Sequence, residues 1–172
     1  MLNIRSVIID TVVENIQQEY NRTYGTWDPE VPGILNYVTR MALENMATTD
    51  TLFHDLDHAI MVTLAGQQLI RGKHLIEGGV SPADFLHFII ATLCHDIGFV
   101  KGICRGDTEH DVATGIGEER VPFSDEGTCA SLYPYHIERG KRFIQERFEG
   151  HHLIDADRIA SYIEMTRFPP PD

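Results

Sequence analysis

No apolar run in the chain approaches the roughly 20 residues needed to cross a bilayer. The N-terminal stretch MLNIRSVIIDTVVENIQQEY carries acids where a signal peptide stays apolar. Both absences predict a cytoplasmic protein without a membrane partner. Cysteine is scarce: Cys94, Cys104 and Cys129 are an odd number with no C-x-x-C pair, which fits reduced thiols better than a disulfide framework. Basic charge is also short, with 14 Lys and Arg against 26 Asp and Glu and a formal net charge of -12. Binding to a long phosphate backbone relies on clustered cations that release counterions, so polymeric nucleic acid is excluded as the expected partner. A small phosphorylated ligand stays compatible, because a bound divalent cation reverses the local field whatever the global charge. Low-complexity tracts and internal repeats are absent as well.

What is present is ordinary for a globular protein: 172 residues, 42% of them hydrophobic and 23% charged, which suits one domain over 1–172 with a substantial core. Apolar residues at Ile4, Val7, Ile8, Val12, Ile16 and Tyr20 recur at helical spacing and predict a first helix from Ile4 to about Tyr24. TWDPEVPG interrupts the pattern, which resumes from Ile34 to about Met46. Thr51 is the expected cap of a third helix that carries HDLDH and stops at Gly78 and Gly79. Ser81 and Pro82 start a fourth, running to about Asp96. From Gly98 to Tyr133 the periodicity fades and a long loop is expected, followed by helices from about Pro134 to Phe148 and from about Asp155 to Thr166. No stretch reads as a strand, so the expected class is all-α.

His54 and His58 stand four apart on the predicted third helix, which would project both imidazoles from one face. His95 and Asp96 end the apolar run DFLHFIIATLCHDIG, where a charged pair is costly to bury without a partner, and a metal is a usual one. Imidazole and carboxylate suit Mn, Fe, Co, Ni, Zn or, with more water, Mg, and the sequence does not choose among them. Each of the nine histidines alone reads as an ordinary residue, whereas H-x-x-x-H followed by His-Asp reads as a metal site.

TLFHDLDHAIMV followed by FIIATLCHDIGFVKG resembles the HD superfamily of phosphohydrolases, marked by a histidine, a downstream His-Asp pair and a later aspartate. Phe53-His54-Asp55-Leu56-Asp57-His58 is similar to the Y-H-N-x-x-H form found in cyclic-nucleotide phosphodiesterases, with Phe53 in place of tyrosine and Asp55 in place of asparagine. The resemblance implies a compact helical bundle and hydrolysis of a small phosphorylated, nucleotide-type substrate. It implies His58, His95 and Asp96 as ligands of a divalent ion, with His54 and Asp96 carrying catalysis and His54 the general acid. YPYHIERGK resembles the H-x-x-x-G element of two-metal members, which makes His136 a further candidate ligand; a structural role is the alternative. Lys141 and Arg167 are candidates for substrate phosphate, with a solvated lysine and a helix C-terminal cation as their plain readings.

The late aspartate that the resemblance implies has no secure place. Asp155 and Asp157 fit helix capping better, and the family's position lies beyond TRFP, which leaves open a chain truncated at its C-terminus. The acids Asp107, Glu109, Asp111, Glu118 and Glu119 read as solvated loop surface. A competing likeness to the zinc-protease H-E-x-x-H helix leaves His95-Asp96 unexplained. The other reading kept open is a non-catalytic HD-fold module that binds metal and nucleotide as a sensor. The oligomeric state is undetermined, with a homodimer through the N-terminal helix as one option.

Overall fold

A computed structural model describes residues 3–124 and 127–169. The described chain is all-α apart from one small hairpin: α1 (Ile4–Tyr24), α2 (Val31–Met46), α3 (Leu56–Glu77), α4 (Pro82–Cys94), α5 (His136–Phe148) and α6 (Ala156–Glu164). Each boundary has a local cause. Asn3 caps α1 through the amides of Arg5 and Ser6, and Gly25, at φ 61°, ends it. Helix α2 begins three residues before the expected Ile34, because Pro32 falls in the first turn, where its missing N–H costs nothing. Ser81 and Asp84 form a reciprocal capping box at the start of α4, with Pro82 inside it.

The third helix departs from expectation. Its cap is Asp55, which accepts the His58 amide at 2.9 Å, and not Thr51. Thr51 instead donates its hydroxyl to the His54 carbonyl and holds 51–55 as a non-helical approach to α3.

Helix α1 packs on α2, α3 on α4 and α5 on α6, while α4 also touches α2 and α6. The main core gathers residues of all six helices, among them Ile16, Leu35, Leu43, Ile70, Ile89, Leu93, Phe143 and Ile163. Between α4 and α5 the expected loop holds two 3-10 turns, Ile97–Phe99 and Cys129–Leu132, and an antiparallel hairpin of β1 (Asp111–Ala113) and β2 (Arg120–Pro122). The expectation of no strand is therefore corrected: three-residue strands are too short to show an alternation. Phe99, Val112, Phe123 and Leu132 form a second small core beneath the hairpin.

A buried ion pair ties this excursion to α5. Arg139 is fully buried, and its guanidinium donates to Asp107 at 2.9 and 3.2 Å, to the Gly98 carbonyl at 2.7 Å, to the Val100 carbonyl at 2.8 Å and to the Ala113 carbonyl. Asp107 is thus an interior anchor and not part of a solvated surface; Glu109, Asp111, Glu118 and Glu119 are exposed as expected. All three cysteines are free and buried. No described helix is long and apolar enough to cross a membrane.

Candidate metal centre

The antiparallel contact of α3 with α4 sets the first turn of α3 beside the end of α4. His58 projects from that first turn, and His95 and Asp96 follow directly on α4. His54 lies in the segment before α3 and not on it, contrary to the reading of two histidines on one helix. The two rings still converge, with centroids 5.6 Å apart, because the Asp55 cap and the Thr51 bond fold the segment back. His54 stacks on Phe99 at 4.5 Å and 19°, which fixes its plane.

One carboxylate oxygen is the hub. Asp96 Oδ2 lies 2.7 Å from His54 Nδ1, 3.0 Å from His95 Nε2 and 3.4 Å from His58 Nε2, and the last two nitrogens are 3.3 Å apart. Asp96 is 3% exposed, while His54 and His58 open toward solvent. The ligand-capable atoms of His54, His58 and Asp96 all fall within 4.8 Å of one another, a His-His-Asp group able to hold a metal ion.

The protonation pattern follows from the partners. His95 Nδ1 sits 2.8 Å from the Thr92 carbonyl, and a carbonyl only accepts, so Nδ1 carries the hydrogen. In the neutral ring, Nε2 then points a lone pair at the lone pairs of Asp96, a repulsive contact unless a proton or a cation lies between them. Burial by itself lowers the His95 pKa, but the hydrogen bond and charge of Asp96 outweigh it and the net shift is upward. Burial raises Asp96, yet the His95 and His54 contacts win and hold it down to about 2. His58 is lowered, chiefly by burial, so its nitrogen stays available as a donor to metal.

The donor set fits a metal. With metal–ligand bonds of about 2.0–2.2 Å, neighbouring ligands stand roughly 3 to 3.4 Å apart for octahedral or tetrahedral angles. The His58–His95–Asp96 triangle has edges of 3.0, 3.3 and 3.4 Å. The Nδ1–H bond of His95 to a carbonyl is also the outer contact that orients a metal-binding histidine.

A family model described as Npun_R2479-like matches residues 2–172. The chain belongs to the Npun_R2479-like family. No curated protein and no solved structure matches it.

The other expected site residues of this Npun_R2479-like protein are placed differently. His136 starts α5, donates Nδ1–H to the Tyr133 carbonyl and stacks on Phe99 at 4.4 Å. Its ring centre is 6.3 Å from that of His54, and it falls outside the three-residue group. Gly98 explains its approach: a Cβ there would stand 1.9 Å from the His136 carbonyl oxygen and 2.8 Å from the Gly140 amide. Lys141 bonds Glu138 at 2.9 Å and Glu164 at 2.6 Å, and Arg167 bonds the same two acids. Neither cation is open to a substrate phosphate while those carboxylates hold it. Asp155 caps α6 through the Arg158 amide, and Asp157 reaches Gln145, so both act where the capping reading puts them, on the α6 start.

Sequence reasoning missed Arg139, the residue that clamps the Gly98 and Val100 carbonyls behind His95-Asp96. The available signal was its place four residues before the buried Phe143, on the inward side of α5.

Proposed function

We propose that this protein is a metal-dependent phosphohydrolase of the HD type, cleaving a phosphomonoester or phosphodiester of a small, nucleotide-type substrate. The observation that carries the reading is the shared oxygen of Asp96, which closes the His58–His95–Asp96 triangle and at the same time bonds His54. His58, His95 and Asp96 would hold a divalent ion such as Mn, Fe, Co, Ni, Zn or Mg; when bound, such an ion lowers the pKa of water and neutralises charge on phosphoryl oxygens.

The chain's own part is to position and protonate. Asp96 takes the Nδ1 hydrogen of His54 at 2.7 Å, which leaves Nε2 as the atom that exchanges a proton with the substrate. Phe99 keeps the ring from rotating, and the partial exposure of His54 gives a leaving oxygen access to it. A protonated Nε2 then delivers its hydrogen to that oxygen, a contribution of roughly 10²–10⁴-fold in rate.

One observation favours a second reading, a non-catalytic module that binds metal and nucleotide: Lys141 and Arg167 are both tied to Glu138 and Glu164. Elemental analysis of the purified protein and of His95→Ala/Asp96→Ala, followed by a phosphoester screen with the loaded metal, separates the two. Hydrolysis that falls roughly 10²–10⁴-fold in His54→Ala with metal content unchanged supports the enzyme. Metal retained with no turnover of any phosphoester favours the binding module, and no metal in either protein refutes both.

A further inference from the structure

Helix α3 buries one side against α2 and α4 and leaves the other strongly apolar. Met61, Leu69, Leu75 and Ile76 are 70–84% exposed, and Met165 beyond the end of α6 is 63% exposed. Between α3 and α6 runs a cleft of about 560 Å³ whose walls include Leu69, Ile70, Val80, Phe88, Tyr162 and Met165. Five such side chains each offer on the order of 100 Å² of apolar surface when fully open. At 63–84% exposure their open surface sums to roughly 350 Å², a patch of the size that marks an interaction site, and the cleft walls beside it extend the face toward the roughly 800 Å² per partner that a stable dimer buries.

The spacing on this face is that of a helix–helix seam. Val62, Ala65, Leu69, Gly72 and Ile76 follow intervals of 3, 4, 3 and 4, and alternate large and small residues. The two glycines of the helix differ in cause. A Cβ on Gly66 would come 2.9 Å from Thr92 and 3.2 Å from Phe88, so the α4 contact within the chain requires it. A Cβ on Gly72 meets nothing within 4 Å, although glycine inside a helix costs about 1 kcal/mol relative to alanine. Among the described residues nothing fills the hollow at Gly72.

We infer that this face of α3 is a homodimer interface in which a second copy packs antiparallel about a two-fold axis near Leu69 and Gly72. Antiparallel pairing sets successive seam positions of opposite type in each layer, so Leu69 of one copy fills the hollow at Gly72 of the other. A parallel pair would stack large on large and small on small. Charge also selects a second copy. The chain carries -12, yet the cations on this face are already neutralised, Lys73 by Glu77 at 2.5 Å and Arg158 by Asp84. Two copies therefore meet here without the acid–acid repulsion expected over most of the surface.

Sedimentation of the full chain tests the interface against α1, whose Ile4 and Val7 are also exposed. Expected are a dimer for the unaltered protein, a monomer for Leu69→Glu/Ile76→Glu and for Gly72→Glu, and a dimer still for Ile4→Glu/Val7→Glu. Gly72→Glu guards against a folding failure, since its side chain enters open space and improves helix propensity, so its helicity and thermal midpoint hold while the dimer is lost. A monomeric unaltered protein overturns the inference, as does a dimer that survives Gly72→Glu or that is lost only in the α1 variant.

Discussion

Replacing Arg139 by methionine removes the most heavily bonded buried group among the described residues. The variant keeps the stem volume but strands Asp107, whose side chain is 1% exposed, and frees the carbonyls of Gly98, Val100 and Ala113. Breaking a buried pair from one side costs about 3–5 kcal/mol, and each orphaned carbonyl adds about 1 kcal/mol or more where no water replaces the guanidinium. With water taking over the three carbonyls, the broken pair alone leaves an expected loss of about 5 kcal/mol, a large share of the roughly 5–15 kcal/mol that holds a domain folded. At about 2–4 °C per kcal/mol for a chain of this size, the thermal midpoint falls by roughly 10–20 °C. Urea titrations followed by circular dichroism measure the difference. Asp107→Leu/Arg139→Met, which removes both charges, recovers more than half of it. A loss under about 1 kcal/mol in the single variant, or no recovery in the double, refutes the claim that this pair anchors the hairpin to α5.

Two further outcomes are expected. Gly98→Ala forces the backbone at His136 and Gly140 apart by about 1 Å, so the unfolding midpoint drops, by about 1–3 kcal/mol of overpacking, and the His136 ring leaves Phe99; an unchanged midpoint refutes the close contact. His87 is lowered by burial from its ordinary value near 6.5, with the Arg158 charge adding to the effect and the Leu153 carbonyl, Asp155 and Asp84 opposing it. Its neutral ring accepts the Asp155 amide at 3.0 Å. The unfolded chain therefore binds this proton first: the stability contribution is complete above about pH 6.5 and is lost as pH falls through that value toward the lowered folded pKa. Unfolding free energies of the unaltered protein and His87→Gln, compared between about pH 5 and 8, should diverge in pH slope on the acid side, and parallel curves refute the assignment.

Much of the helical frame was legible because it rests on local rules. Val12, Ile16 and Tyr20 belong both to the periodic signal and to the buried face of α1, whereas Ile4, Val7 and Ile8 of that signal are exposed and Ile9 and Val13 complete the buried face; Ser81-Pro82 begins α4 through bonds that span only three residues. The errors share a cause. Thr51 and Asp55 are both acceptable caps in sequence, and the choice was decided by where Thr51 sends its hydroxyl, a bond to His54 that no pattern records. The hairpin is held by Arg139 from a helix some 26 residues away, so its three-residue strands have no signal of their own. The convergence of His58, His95 and Asp96 follows from two segments that each carry a pattern in sequence, whereas the hub role of Asp96 toward His54 depends on a non-helical segment.

The position of that triangle has an electrostatic logic beyond its ligands. Helix α4 ends at Cys94, where the aligned dipoles of its peptide units leave a partial negative charge, to which Asp96 adds a full one. Thr92 turns its carbonyl to His95 Nδ1, so the backbone itself selects the tautomer that faces Nε2 inward. The opposing end of α3 presents positive amides, but Asp55 takes the His58 amide and removes one of them from competition with a cation. A site assembled at a helix C-terminus, with a capped N-terminus facing it, attracts a cation even in its absence. In a chain of charge -12 that preference needs no acid beyond Asp96, and the lowered pKa of His58 leaves its ring nitrogen free to donate.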